Sequence, residues 1–76
     1  MVKKTKSIKL KPMKFKEIER IIKNNKWVIV RATGSHCQYK HPDKKGTVTI
    51  ACHSSDIPKE IIYSILEQAN LLHLIQ

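Results

Sequence analysis

Apolar residues recur along this chain at two different spacings. From Lys14 to Asn25 they fall at Phe15, Ile18, Ile21 and Ile22, the three-and-four spacing of one helix face, with Lys14, Lys16, Glu19, Arg20 and Lys23 left for solvent. Asn24-Asn25 then offers a left-handed stop. A second helical stripe runs through Ile61, Ile62, Ile65, Leu66 and Ala69. Ser55 or Asp56, together with Pro58, marks its start, and Asn70 its end, with Leu71 folding back as the hydrophobic contact of the cap. Between the two helices the pattern changes to that of extended chain. Trp27-Val28-Ile29-Val30-Arg31 is aromatic and β-branched, Ala32-Thr33-Gly34-Ser35 reads as a turn, and His36 to His41 as a second strand. Pro42-Asp43-Lys44-Lys45-Gly46 turns the chain into a third strand, Thr47 to about Cys52.

Connections this short imply an antiparallel meander. The order α-β-β-β-α predicts an α+β domain: a three-stranded antiparallel sheet with two helices on one face and the other face wet. If His41 pairs with Val48, then Tyr39 faces Ile50 and Cys37 faces Cys52, an apolar set suited to the core. His36, Gln38, Lys40, Thr47, Thr49 and Ala51 then share the wet face, with His53 opposite His36. A slip of one residue would bury Lys40 and both threonines. Trp27 and Tyr39 are expected in the core rather than stacked on a ligand.

Residues 1–12 alternate lysine with small or apolar side chains and end at Pro12, so they read as a basic N-terminal arm, leaving 13–76 as one domain. With 76 residues there is room for one small core, and any site must lie on its surface or in a shallow groove. No segment resembles a signal peptide and no apolar run is long enough to cross a bilayer, which points to the cytoplasm and to free thiols at Cys37 and Cys52.

Charge sharpens this picture. The formal net charge of +9 divides into +11 over residues 1–46 and −2 over residues 47–76. A field of that kind attracts polyanions, and nucleic acid is the leading partner class. Lys3, Lys4, Lys6, Lys9 and Lys11 also fit a plain solvated tail. Carboxylates occur singly, so no cluster suggests a metal-dependent nuclease, and no cofactor is expected. The spacing of His36, Cys37, His41, Cys52 and His53 does not suit structural zinc, because neighbouring strand residues point to opposite faces.

The chemistry concentrates at Gly34-Ser35-His36. A histidine on a wet strand near Arg31 and Lys40 can take a proton from an RNA 2′-hydroxyl or return one to the leaving 5′-oxygen, with no metal. Gly34 lets backbone approach a phosphate, and the Ser35 hydroxyl can donate to it. From the residues alone, His36 also fits an ordinary surface histidine beside a turn.

Gly34-Ser35-His36-Cys37-Gln38-Tyr39-Lys40-His41-Pro42, followed by Gly46-Thr47-Val48-Thr49-Ile50 and by Ile57-Pro58-Lys59 leading into Ser64-Ile65-Leu66-Glu67-Gln68-Ala69, resembles the HicA (YcfA-like) toxins of bacterial toxin–antitoxin pairs over about residues 13–72. The resemblance implies a fold similar to a double-stranded RNA-binding domain, a messenger-RNA-cleaving ribonuclease, His36 as its functional residue, and a HicB-type antitoxin that covers the basic face. RNA contacts are then expected at Gly34, Ser35, Arg31, Lys40 and His53. Three positions depart from the usual pattern: Cys37 stands where a second histidine is frequent, Lys26 where a turn glycine is common, and Thr33 where a basic residue often occurs. The competing reading is a non-catalytic RNA-binding module of similar fold that holds structured RNA by shape and phosphate contacts.

Overall fold

Two helices and three strands follow one another as the periodicity predicts: α1 (Phe15–Asn24), β1 (Val28–Thr33), β2 (His36–Lys40), β3 (Val48–Ala51) and α2 (Lys59–Gln68), ending in a 3₁₀ turn at Leu72–Leu74. The computed structural model describes residues 7–52 and 56–75. The strands form an antiparallel sheet in the order β1-β2-β3, so the fold is α+β.

The helices bury Ile18 and Ile22 from α1 and Ile62, Ile65 and Leu66 from α2 against Cys37 and Tyr39 of β2 and Val48 and Ile50 of β3. Two aromatic side chains fix this layer through their polar tips, as buried Trp and Tyr must. Trp27 donates its indole N–H to the Ala69 carbonyl (3.2 Å), joining the end of α1 to the end of α2. The Tyr39 hydroxyl donates to the Glu19 carboxylate (2.6 Å). Burial, followed by that carboxylate, pushes the phenol well above its ordinary range and keeps it a neutral donor.

Both helices end in the same way. At α2, Asn70 adopts φ +59°, its N–H reaches Glu67 O, and the Leu71 N–H reaches Leu66 O, which is the paired-bond left-handed cap expected there. At α1 the left-handed residue is Lys26 (φ +76°) rather than Asn24 or Asn25, with Lys26 N–H on Lys23 O and Trp27 N–H on Ile22 O. The stop therefore sits where Trp27 can drop into the core as the cap's apolar contact.

The observed strands refine the expected ones. β1 runs on to Thr33, so the β1–β2 connection shortens to Gly34-Ser35. Tyr39 pairs with Val48 and Cys37 with Ile50, two residues away from the expected register. A shift of two preserves sidedness, which is why Cys37, Tyr39, Val48 and Ile50 are buried as expected. In α2 the N-cap is Pro58, and Ile61, expected on the buried stripe, is 51% exposed.

The arm is tied to the domain from Ile8 onward. Ile8 is 7% exposed, forms a parallel bridge with Ile75 and donates its N–H to Leu74 O (2.6 Å), while Met13 bridges Ile57.

Candidate active site

The β1–β2 hairpin closes on the pair Thr33–His36 through a two-residue turn. Gly34 has φ +56°, the conformation that a tight hairpin requires of its first turn residue and that glycine adopts without strain. Ser35 is half-buried, and its carbonyl accepts the Cys52 N–H (2.7 Å), which anchors the turn to the end of β3.

The ladder would continue past Val28–Lys40 and Ile29–Tyr39 by setting Val30 opposite Gln38 and Arg31 opposite Cys37, on the helix side. It does not. A bulge between Ile29 and Arg31 resets the pairing to Arg31–Gln38, Ala32–Cys37 and Thr33–His36. That extra residue brings Arg31 and Thr33 onto the face of His36 and Gln38. Together the four line an open groove of about 240 Å³ on the sheet face away from the helices. Within it the Arg31 Nε donates to the Thr33 Oγ1 (3.1 Å), which orients the guanidinium and leaves its terminal N–H groups for a ligand. His36 is exposed, flanked by Thr33 on one strand and Ala51 on the other. A cation held beside a titratable ring, in a shallow groove on a basic surface, suits a phosphodiester.

A family model described as the HicA toxin of bacterial toxin–antitoxin systems matches residues 15–71, which span α1 to the cap of α2 and include every residue of this groove. The chain belongs to the HicA toxin family. It is accordingly a toxin of a toxin–antitoxin system, and its partner is an antitoxin. No curated protein matches it. Among the described residues, no helix is long and apolar enough to cross a membrane.

In this HicA-family chain the remaining expected site residues fall in different places. Lys40 is exposed and shares the sheet face of His36, but it pairs with Val28 beyond the groove. His53 lies outside the described residues, and the position opposite His36 belongs to Ala51, which corrects the expected His36–His53 pairing. His41 accepts the Asp43 N–H at Nδ1 (2.9 Å) and sets its ring edge against Trp27 with centroids 5.3 Å apart, a structural position at the end of β2.

Cys37, where the family often has a second histidine, is 6% exposed and points to the helix side. A hydrogen bond with the Cys52 thiol and burial push its thiol up to about 11, so it stays protonated and weakly nucleophilic at neutral pH. Among the described residues, no three of His, Cys, Asp and Glu cluster closely enough to hold a metal ion. A wider groove, about 540 Å³, runs between the arm and α1, but its Lys14 and Glu17 are engaged with Asp56 (3.1 Å) and Lys11 (3.4 Å).

The Thr33 contact is not expected from the sequence, where Ala32-Thr33-Gly34-Ser35 reads as a turn rather than as the end of a strand. One signal is present: Ile29, Arg31 and Thr33 stand at alternate positions, so a regular strand would put an apolar residue and two polar ones on the same face, and the bulge between Ile29 and Arg31 separates them.

Proposed function

We propose that this toxin is a metal-independent endoribonuclease that cleaves messenger RNA with His36 as its acid–base group and so halts translation, and that a HicB-type antitoxin restrains it. The observation that carries the reading is the exposed His36 sharing one groove with an arginine already oriented by a threonine. Attack by an RNA 2′-oxygen on the adjacent phosphorus forms the 2′O–P bond and breaks the P–O5′ bond. The 2′-hydroxyl proton passes to an imidazole nitrogen of neutral His36, and the departing 5′-oxygen takes up a proton, which the imidazolium can supply. Negative charge on the non-bridging phosphoryl oxygens meets the Arg31 guanidinium. Since the nucleophile belongs to the RNA, the protein has only to position it, stabilise the charge and move one proton. The +11 of residues 1–46 holds the polyanion while it does so.

The test is cleavage of a labelled messenger RNA in EDTA by wild type and His36→Ala, together with a substrate carrying a 2′-deoxy nucleotide at the cut site. Wild type is expected to cleave and the deoxy site to resist. His36→Ala should fall by about 10²- to 10⁴-fold, with folding stability changed by at most about 0.5 kcal/mol because the side chain is exposed. Cleavage by His36→Ala at the original rate, or complete loss in EDTA restored by magnesium, overturns the reading.

A further inference from the structure

β1 is the least covered element of the domain. All six of its residues are exposed, and Val28 (54%), Ile29 (43%) and Val30 (53%) are three consecutive large apolar side chains open to solvent. The core draws on β2 and β3 and takes no residue from β1, so even Ile29, on the helix side opposite Tyr39, stays uncovered. In the order β1-β2-β3 no strand among the described residues pairs with the outer backbone edge of β1, which leaves it ready to accept another strand.

The charges around this edge select the occupant. Lys26 precedes the strand, Arg31 lies on it and Lys40 pairs with Val28. The described ion pairs, Lys11–Glu17, Lys14–Asp56 and Lys23–Glu19, all engage the arm or α1, and among the described residues none of these three cations has a carboxylate partner. A second copy added along the same edge would oppose cation to cation across the new ladder, which is unfavourable. RNA gains little here, because aliphatic side chains give a base neither an aromatic face nor a hydrogen bond. The fitting occupant is an extended segment of alternating apolar and acidic residues.

We propose that the antitoxin seats such a segment along the outer edge of β1, adding a fourth strand and pairing carboxylates with Lys26, Arg31 and Lys40. Arg31 belongs to both surfaces. A carboxylate drawn to its guanidinium takes the place of a phosphate, so docking at the edge disarms the groove next to it. The docking rests on the exposed edge and its charges, and only this inhibitory consequence rests on the ribonuclease reading.

The experiment measures affinity for this toxin's antitoxin, using full-length toxin carrying Val28→Lys with Val30→Lys, and as a control Ile61→Lys on α2. The double variant is expected to lose affinity by at least 100-fold while its RNA cleavage, circular dichroism and oligomeric state match wild type, and the control should bind normally. Hydrogen exchange on the wild-type complex is expected to show new protection of β1 amides, an independent readout should the double variant fold poorly. Unchanged antitoxin affinity with unprotected β1 amides overturns the proposal. So does a loss of RNA affinity with antitoxin binding kept, or a wild-type dimer that the double variant dissolves. Should wild type bind the antitoxin at β1 yet cleave no RNA, the docking stands and the ribonuclease reading falls.

Discussion

Arg31 is useful to the groove only if its guanidinium faces it, and an exposed arginine spends most of its time elsewhere unless something restrains it. The hydrogen bond from Arg31 Nε to Thr33 Oγ1 supplies that restraint. A pre-oriented fork loses less freedom when it meets a phosphate. On the proposed function, Thr33 therefore acts through Arg31. Thr33→Val keeps the β-branched shape and removes only the acceptor. It should weaken RNA binding by roughly three- to tenfold, in line with about 1 kcal/mol for a modest hydrogen bond, measured as Kd in a His36→Ala background that cannot cleave. In the cleaving protein the loss should appear in KM with kcat and the pH profile little changed, and Thr33→Ser should restore it. Equal affinity for Thr33→Val and wild type would leave Thr33 as an ordinary strand residue.

At the scale of elements, local physics made some features legible in the sequence and left others hidden. The apolar periods fixed both helices to within a residue or two, and the Asn70–Leu71 cap stands as expected because asparagine next to a leucine is a sufficient local signal. The α1 cap is not legible in the residues themselves, and only the resemblance, with a turn glycine common at position 26, points to it. Lysine carries no preference for positive φ, and what forces Lys26 there is Trp27, a non-local demand of the core. Register was legible only in parity: burial decides which face Tyr39 occupies, whereas the offset of two depends on His41 leaving the strand to meet Trp27 and accept the Asp43 N–H. The β1 bulge was hidden for a similar reason, and with it the geometry that brings Arg31 to His36. Lys26 offers a direct test of the cap. A non-glycine residue in the left-handed region costs about 1 kcal/mol. Lys26→Gly should raise unfolding stability by about 0.5–1 kcal/mol in urea titration without altering the fold. A decrease would mean that the lysine side chain contributes contacts outweighing the backbone strain.

For the molecule as a whole, the distribution of charge and the path of the arm pull in one direction: the lysine-rich arm stays attached to the body that carries His36. The five lysines at positions 3, 4, 6, 9 and 11 add to the positive field that, on the proposed function, attracts RNA, while Ile8, on the same segment, is packed into the common core and bonded to Leu74. Electrostatic and structural roles are thus interleaved residue by residue, and deletion of residues 1–11 removes both. That truncation should lower RNA affinity and flatten its salt dependence, by roughly 0.7 in the log–log slope for each lysine that contacts single-stranded RNA. It should also destabilise the fold, because a buried isoleucine is worth about 2–5 kcal/mol on truncation to alanine. Two point variants separate the effects. Ile8→Ala should reproduce the loss of stability in a urea titration while keeping the salt slope of wild type. Lys9→Ala with Lys11→Ala should do the reverse, since the only described ion pair it removes, Lys11–Glu17, is exposed at both ends and such pairs contribute about 1 kcal/mol or less. If Ile8→Ala leaves stability untouched, the burial of Ile8 does not anchor the arm, and its backbone bridges to Leu74 and Ile75 hold it instead.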